Sequence, residues 1–169
     1  NKLLGMYEEY EFKTALTQLS EQAREQVTLG ESSIQAVGQT HEALDIEIIL
    51  DISHLDHWID KLVNADYFSF DTETTSLNYM DAELVGISFC WEKGEAAYLP
   101  LGHDYPDAQE QICLNTALSK LKTVLESKNI FKLGHNLKYD RNVLLNYGIN
   151  VQGILFDSML ESYVFDSTG

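Results

Sequence analysis

With 169 residues, 44% of them hydrophobic, the chain is long enough to bury the core of one domain and carry a short appendage. Its 27 acidic residues against 11 basic ones leave a net charge of −16, which argues against broad electrostatic binding of duplex nucleic acid. Cys90 and Cys113 are too few for a disulfide framework, the five histidines (41, 54, 57, 103, 135) make no zinc-ligand cluster with them, and no apolar run of about 18 residues offers a membrane helix.

The chain opens Asn-Lys-Leu-Leu, with neither Met nor a signal-peptide pattern, which suggests a piece excised from a longer protein. Residues 7–27 predict a helix with a weak apolar stripe through Tyr7, Phe12, Leu16 and Leu19. Residues 28–43 are small and polar without a period and predict a flexible linker. The folded domain is expected from Leu44 onward. Asp45 to Ile52 alternates like a strand, with Ile46, Ile48 and Leu50 on one face. Ser53 is placed to cap a helix over 54–64, whose inner side carries Leu55, Trp58, Ile59 and Leu62. Strands follow over 67–71, 84–91 and 96–99, with a turn near Asn78–Ala82 and a hairpin turn at Gly94. A long helix is predicted over 108–127, because Leu114, Leu118, Leu121 and Leu125 repeat at helical spacing. Then come a strand at 130–133, a helix at 137–147 closed by Gly148, a strand at 154–156 and a helix over 158–165 capped by Asp157. The alternation of elements implies an α/β fold, a mixed sheet with flanking helices.

Chemistry concentrates at the end of the strand that begins at Tyr67. Strand alternation puts Asp71 and Glu73 on one side and Thr72 on the other. Two carboxylates aimed together repel unless a hard divalent cation holds them, although an Asp-x-Glu at a strand end also suits a turn or a solvated edge. A third carboxylate, Asp140, lies four residues after Asn136 on the same helix face, and Asn136 suits an N-cap. Acids converging from a strand and a helix can hold two divalent ions about 3.5–4 Å apart for phosphate hydrolysis. Lys128, Lys132, Lys138 and Arg141 add either a local positive patch beside them or an ordinary solvated face.

Phe70-Asp71-Thr72-Glu73-Thr74 with Leu77 resembles the first motif of the DEDD (DnaQ-like) 3′–5′ exonucleases, and Gly134-His135-Asn136-Leu137-Lys138-Tyr139-Asp140 resembles the second. Leu84–Phe89, Ala97–Pro100, His103-Asp104-Tyr105 and Phe156–Tyr163 extend the likeness, over about residues 44–169, to the proofreading exonuclease domains of bacterial DNA polymerases I. Tyr10-Glu11-Phe12-Lys13 resembles the close of the preceding 5′-nuclease region, so 1–27 is expected to be its helical tail. The resemblance implies an RNase H-like sheet. It implies catalysis and metal ligation by Asp71, Glu73 and Asp140, with two Mg²⁺ (or Mn²⁺ or Zn²⁺) ions. Leu77, Asn136, Thr72, Thr74 and Lys138 would contact a single-stranded or frayed 3′ end of DNA. Its partners would be the polymerase and 5′-nuclease domains of the same monomeric chain, in the bacterial cytoplasm near the nucleoid. The family's third motif, a Tyr followed four residues later by an Asp, has no match at Tyr163 and Asp166. The isolated chain is therefore expected to be weak or inactive, with an exposed apolar face. Two other readings stay open: an RNase D-like exoribonuclease, and a non-catalytic spacer between domains.

Overall fold

The computed structural model describes residues 45–166; the expected helix over 7–27 and linker over 28–43 lie outside them. Six strands form one sheet in the order β1-β4-β3-β2-β5-β6. They are β1 (Asp45–Ile48), β2 (Tyr67–Thr74), β3 (Leu84–Glu92), β4 (Glu95–Pro100), β5 (Phe131–Gly134) and β6 (Ile154–Asp157). β3 runs antiparallel to β2 and β4, and the β1–β4, β2–β5 and β5–β6 pairs are parallel. Four helices complete the domain: α1 (Ile52–Asn64), α2 (Leu114–Leu125), α3 (Leu137–Asn146) and α4 (Ser158–Asp166). This is the expected mixed α/β sheet.

Period two sorts the central strands. Phe68 and Phe70 on β2, Ile87 and Phe89 on β3, and Ala97 and Leu99 on β4 point to one face and are buried. Leu55, Trp58 and Leu62 of α1, Leu118, Leu121 and Leu125 of α2, and Leu137, Val143 and Leu144 of α3 join them in one core. The opposite face of β2 carries Tyr67, Ser69, Asp71 and Glu73, and it is here that the carboxylates stand toward solvent. The expected exposed apolar surface is present at the β6 edge, in Leu155 and Phe156, and on α4, in Leu160, Tyr163 and Val164. Among the described residues, no helix is long and apolar enough to cross a membrane.

Several local expectations need correction. β1 ends at Ile48, and Ile46 and Ile48 are exposed while Ile49 is fully buried. α1 starts two residues early, because Asp51, not Ser53, is its cap: Asp51 Oδ1 accepts the His54 N–H at 2.8 Å and the Ser53 hydroxyl at 2.7 Å. α2 begins at Leu114 rather than 108. The preceding residues are held as a loop by Gln111, which accepts the His103 N–H at 2.9 Å and donates to the His103 carbonyl at 2.6 Å. α3 does end as expected at Gly148, whose φ of 75° is the left-handed conformation that glycine adopts freely.

Lys132 is the largest departure. The sequence places Lys128, Lys132, Lys138 and Arg141 either in a positive patch or on a solvated face. Lys128, Lys138 and Arg141 are exposed, but Lys132 is fully buried. Its ammonium donates to the Ser127 carbonyl at 2.7 Å and the Ile130 carbonyl at 2.9 Å, and lies 5.6 Å from the centre of the Phe68 ring. It ties the loop between α2 and β5 to the sheet. Burial pulls its pKa down from 10.5 to about 8. Between those values the unfolded chain holds a proton that the folded chain has released, so stability rises with pH across that window. Thermal denaturation should show the wild type gaining on Lys132→Met as pH rises from 8 to 10.5. A difference that stays flat would mean that the amine is not desolvated.

Candidate active site

Asp140 approaches β2 because β5 pairs with β2 only from Tyr67 to Ser69, after which the chain leaves the sheet and turns into α3. The edge of β2 beyond Ser69 is thereby left to a side chain. Asp140 Oδ1 accepts the Thr72 main-chain N–H at 2.9 Å and the Thr72 hydroxyl at 2.6 Å, all in a buried setting. The α3 carboxylate thus substitutes for a strand partner of β2, and it stands near Asp71. Thr72→Val would remove one of these two donors. It should lower stability by about 1 kcal/mol in urea denaturation and weaken the seating of Asp140.

Asp71 lies within the field of the other two acids. Asp71 is raised from its ordinary 3.8 to about 6, first by desolvation, then by the charges of Asp140 and Glu73, with His135 pulling slightly the other way. Asp140 is also raised, by burial above all, against the hydrogen bonds from Thr72. An unrelieved repulsion of this kind is what a divalent cation removes, and carboxylate oxygens are the donors such a cation prefers. The donor set therefore fits. It is not preformed: among the described residues, no three acidic, His or Cys side chains are gathered tightly enough to hold an ion as they stand. Asp140 has turned one oxygen to Thr72.

The remaining predicted residues surround this group. The Thr74 hydroxyl is 2.6 Å from the Tyr139 hydroxyl and donates to the Ser76 carbonyl at 3.1 Å; Tyr139 donates to that same carbonyl. α3 is thus pinned to the loop after β2, where Leu77 is 90% exposed. Lys138 is exposed on the first turn of α3. Asn136 occupies the N-cap position of α3 in the left-handed conformation (φ 58°, ψ 39°), but its side chain caps nothing.

The capping is done by Asp157, a residue that sequence reasoning assigned to α4 alone. Its two oxygens accept the N–H groups of Asn136 and Leu137, each at 2.9 Å, and Oδ1 also accepts that of Met159 at 3.0 Å. One buried carboxylate therefore starts both α3 and α4. His135, beside Asp71, lies 3.0 Å from the Ser158 hydroxyl. Tyr139 and His135 were also missed as supports, although both lie inside the second motif; Tyr139 could have been flagged by its place one residue before Asp140.

Comparison with known proteins adds to this geometry. Residues 46–169 match the model of a family described as 3′–5′ exonuclease. The chain is 41% identical over 168 residues to DNA polymerase I of Pseudomonas aeruginosa, covering 98% of this chain and 18% of that protein. It is 40% identical over 136 residues to DNA polymerase I of Rhizobium leguminosarum, covering 70% and 13%. The chain thus spans less than a fifth of the length of these relatives. Among solved structures, Pol1 of M. smegmatis with DNA primer-template and dNTP shares the fold at a TM-score of 0.53 and 18% identity, over 69% of this chain and 19% of that one. Escherichia coli RNase D, described as an exoribonuclease, does so at 0.51 and 18%, over 66% and 27%. The sheet is RNase H-like, the fold that these structures share. With a match that spans β1 to α4 and holds all three site carboxylates, the chain belongs to the 3′–5′ exonuclease family, in the form carried by DNA polymerase I.

Proposed function

We propose that the chain is the proofreading unit of a DNA polymerase I, removing 3′-terminal nucleotides from DNA by hydrolysis with two divalent ions. The observation that carries this reading is the seating of Asp140 on β2, one oxygen held by Thr72, beside Asp71, whose carboxyl is lifted to about 6 first by desolvation and then by the charges of Asp140 and Glu73. Bound Mg²⁺ or Mn²⁺ would supply an activated water and neutralise charge at the phosphate. Asp71 and Glu73 present their oxygens from the open face of β2. Asp140 offers its second oxygen while Thr72 fixes the first. Leu77, on the pinned loop, would wedge against the terminal base, and Asn136, Thr74 and Lys138 would meet its sugar and phosphate. A frayed or mispaired end is preferred because less stacking must be broken to reach the site. The polymerase and 5′-nuclease regions of the same monomer, in a bacterial cytoplasm, are its proposed partners.

The test uses the full-length protein that carries this chain. Single-stranded DNA and RNA of one sequence, with labelled 3′ ends, are incubated in Mg²⁺, in Mn²⁺ and in EDTA. DNA should shorten stepwise from its 3′ end, RNA slowly, and neither in EDTA. Faster trimming of RNA would replace this reading with the exoribonuclease one. Loss of neither substrate under any condition would favour the spacer.

A further inference from the structure

Leu77 is 90% exposed, so no packing of its own side chain fixes it. Its place is set by the main chain of the loop over 75–83 that joins β2 to β3. The neck of the loop is closed by the Thr75 N–H, which donates to the Glu83 carbonyl at 3.0 Å, and by the Glu83 N–H, which donates to the Thr75 hydroxyl at 3.0 Å. Inside it, the Asn78 amide donates to Asp81 at 2.6 Å, and its oxygen accepts the Met80 N–H at 3.2 Å. These bonds give the loop its shape. They do not hold it against the helix that carries Asp140.

That helix, α3, holds the loop from its own side, at three points. Tyr139 donates to the Ser76 carbonyl, directly before Leu77. The Asn146 amide donates to the Tyr79 carbonyl at 2.6 Å, just beyond Leu77. The Tyr147 hydroxyl accepts the Leu84 N–H at 2.9 Å in a half-buried setting. β3 is bulged at that point: Glu73 pairs with Gly86 and Thr74 with Leu84, which makes Val85 an extra residue beside the Glu73 end of β2. Tyr139 and Asn146 are two helical turns apart and so share one face of α3, about 10 Å from each other along its axis. A single rigid element therefore carries Asp140 and grips the main chain on both sides of Leu77.

We propose that Asn146 and Tyr147 are positioning residues for Leu77: by holding the Tyr79 carbonyl and the Leu84 N–H, they set where the Leu77 side chain stands relative to Asp140, and so how well a 3′-terminal base is engaged. This role rests on the exonuclease reading above, in which Leu77 meets that base. The Asn146 bond is exposed, and water can replace either partner, so it adds little to stability. Its effect is on the place of the loop, not on whether the domain folds.

The test compares kcat/KM of the full-length protein on two single-stranded DNAs, one with an ordinary 3′-terminal nucleotide and one whose last nucleotide lacks its base. The wild type should trim the second more slowly. Asn146→Ala should keep the melting temperature and trim the ordinary end about 3–10-fold more slowly, the factor that corresponds to one hydrogen bond. On the baseless end it should equal the wild type, and its Mn²⁺ affinity should be unchanged, because neither involves Leu77. Added to Leu77→Ala, it should change nothing further. Tyr147→Phe, which leaves the Leu84 N–H without its acceptor, should lower the melting temperature and show the same dependence on the terminal base. For either variant, an equal loss on both DNAs, no loss on either, or an undiminished loss in the Leu77→Ala background overturns the inference. In each of those cases, trimming by the wild type that is lost in Asp71→Ala leaves the exonuclease reading standing. A wild type that leaves both DNAs intact overturns both.

Discussion

Asp71→Asn is expected to give a protein that melts at a higher temperature than the wild type and does not trim DNA. The loss of activity should be on the order of 10³-fold or more, as for other residues that act as part of a catalytic unit. The gain in stability follows from the position of the carboxyl. In the unfolded chain Asp71 titrates near 3.8, and in the folded chain near 6. Between those values the folded chain holds a proton that the unfolded one has released. The contribution of the protonated group is therefore complete below pH 3.8 and lost as pH rises through about 6. At pH 7.5 the ionised carboxylate works against the fold, being partly desolvated, although it opens to solvent, and facing Asp140 and Glu73. Asparagine keeps the shape and cannot ionise. In EDTA the variant should melt above the wild type at pH 7.5, and the two should converge at pH 4. Adding Mn²⁺ at pH 7.5 should raise the wild type and leave the variant where it was, because a ligand stabilises only the state that binds it. Equal melting at both pH values without metal would remove the shared-field argument for the site.

Asp157→Ala should cost more than the loss of an ordinary helix cap. Three main-chain N–H groups, from Asn136, Leu137 and Met159, would lose their acceptor in a buried place. The expected destabilisation is about 2–4 kcal/mol, more than a surface cap because the donors cannot turn to water. Burial alone would push the Asp157 carboxyl up, but the main-chain N–H groups outweigh it and its pKa lies below the ordinary 3.8. Its contribution is therefore present above pH 3.8 and lost as pH falls below it. Urea denaturation at pH 7 and pH 3 checks this: the gap between wild type and Asp157→Ala should be wide at the first and narrower at the second. Trimming should fall by about tenfold even where the variant is folded, because the first turn of α3 sets where Asp140 meets Thr72. Asp157→Asn, with one acceptor oxygen left, should fall between the two.

The sheet was legible because alternation is a local signal. Phe68, Phe70 and Thr72 face inward and Asp71 and Glu73 outward, as the period of two requires. The convergence of Asp140 on that strand was legible only through the two motifs and their family resemblance. What escaped the sequence reading was set by contacts between distant residues. Asn136 has the right chemistry for a cap, but the oxygen that caps α3 belongs to Asp157, 21 positions away. α2 was started too early because no local signal marks where the Gln111–His103 bonds hold the chain out of a helix. Lys132 was assigned to the surface on residue type, yet the period of β5 puts it on the same face as Phe68, its register partner. Buried lysine is rare, so residue type alone points the other way.

Because Asp157 ends β6 and begins two helices at once, α3 and α4 cannot fray independently. When either helix start opens, the carboxylate that anchors the other is set loose. Hydrogen exchange at Asn136, Leu137 and Met159 should then report a single opening free energy rather than three, the behaviour of one cooperative unit within the domain. The helix that carries Asp140 is consequently only as long-lived as the exposed helix that follows it. A ligand or neighbouring polypeptide that quiets α4 would slow the opening of α3 without touching Asp71, Glu73 or Asp140.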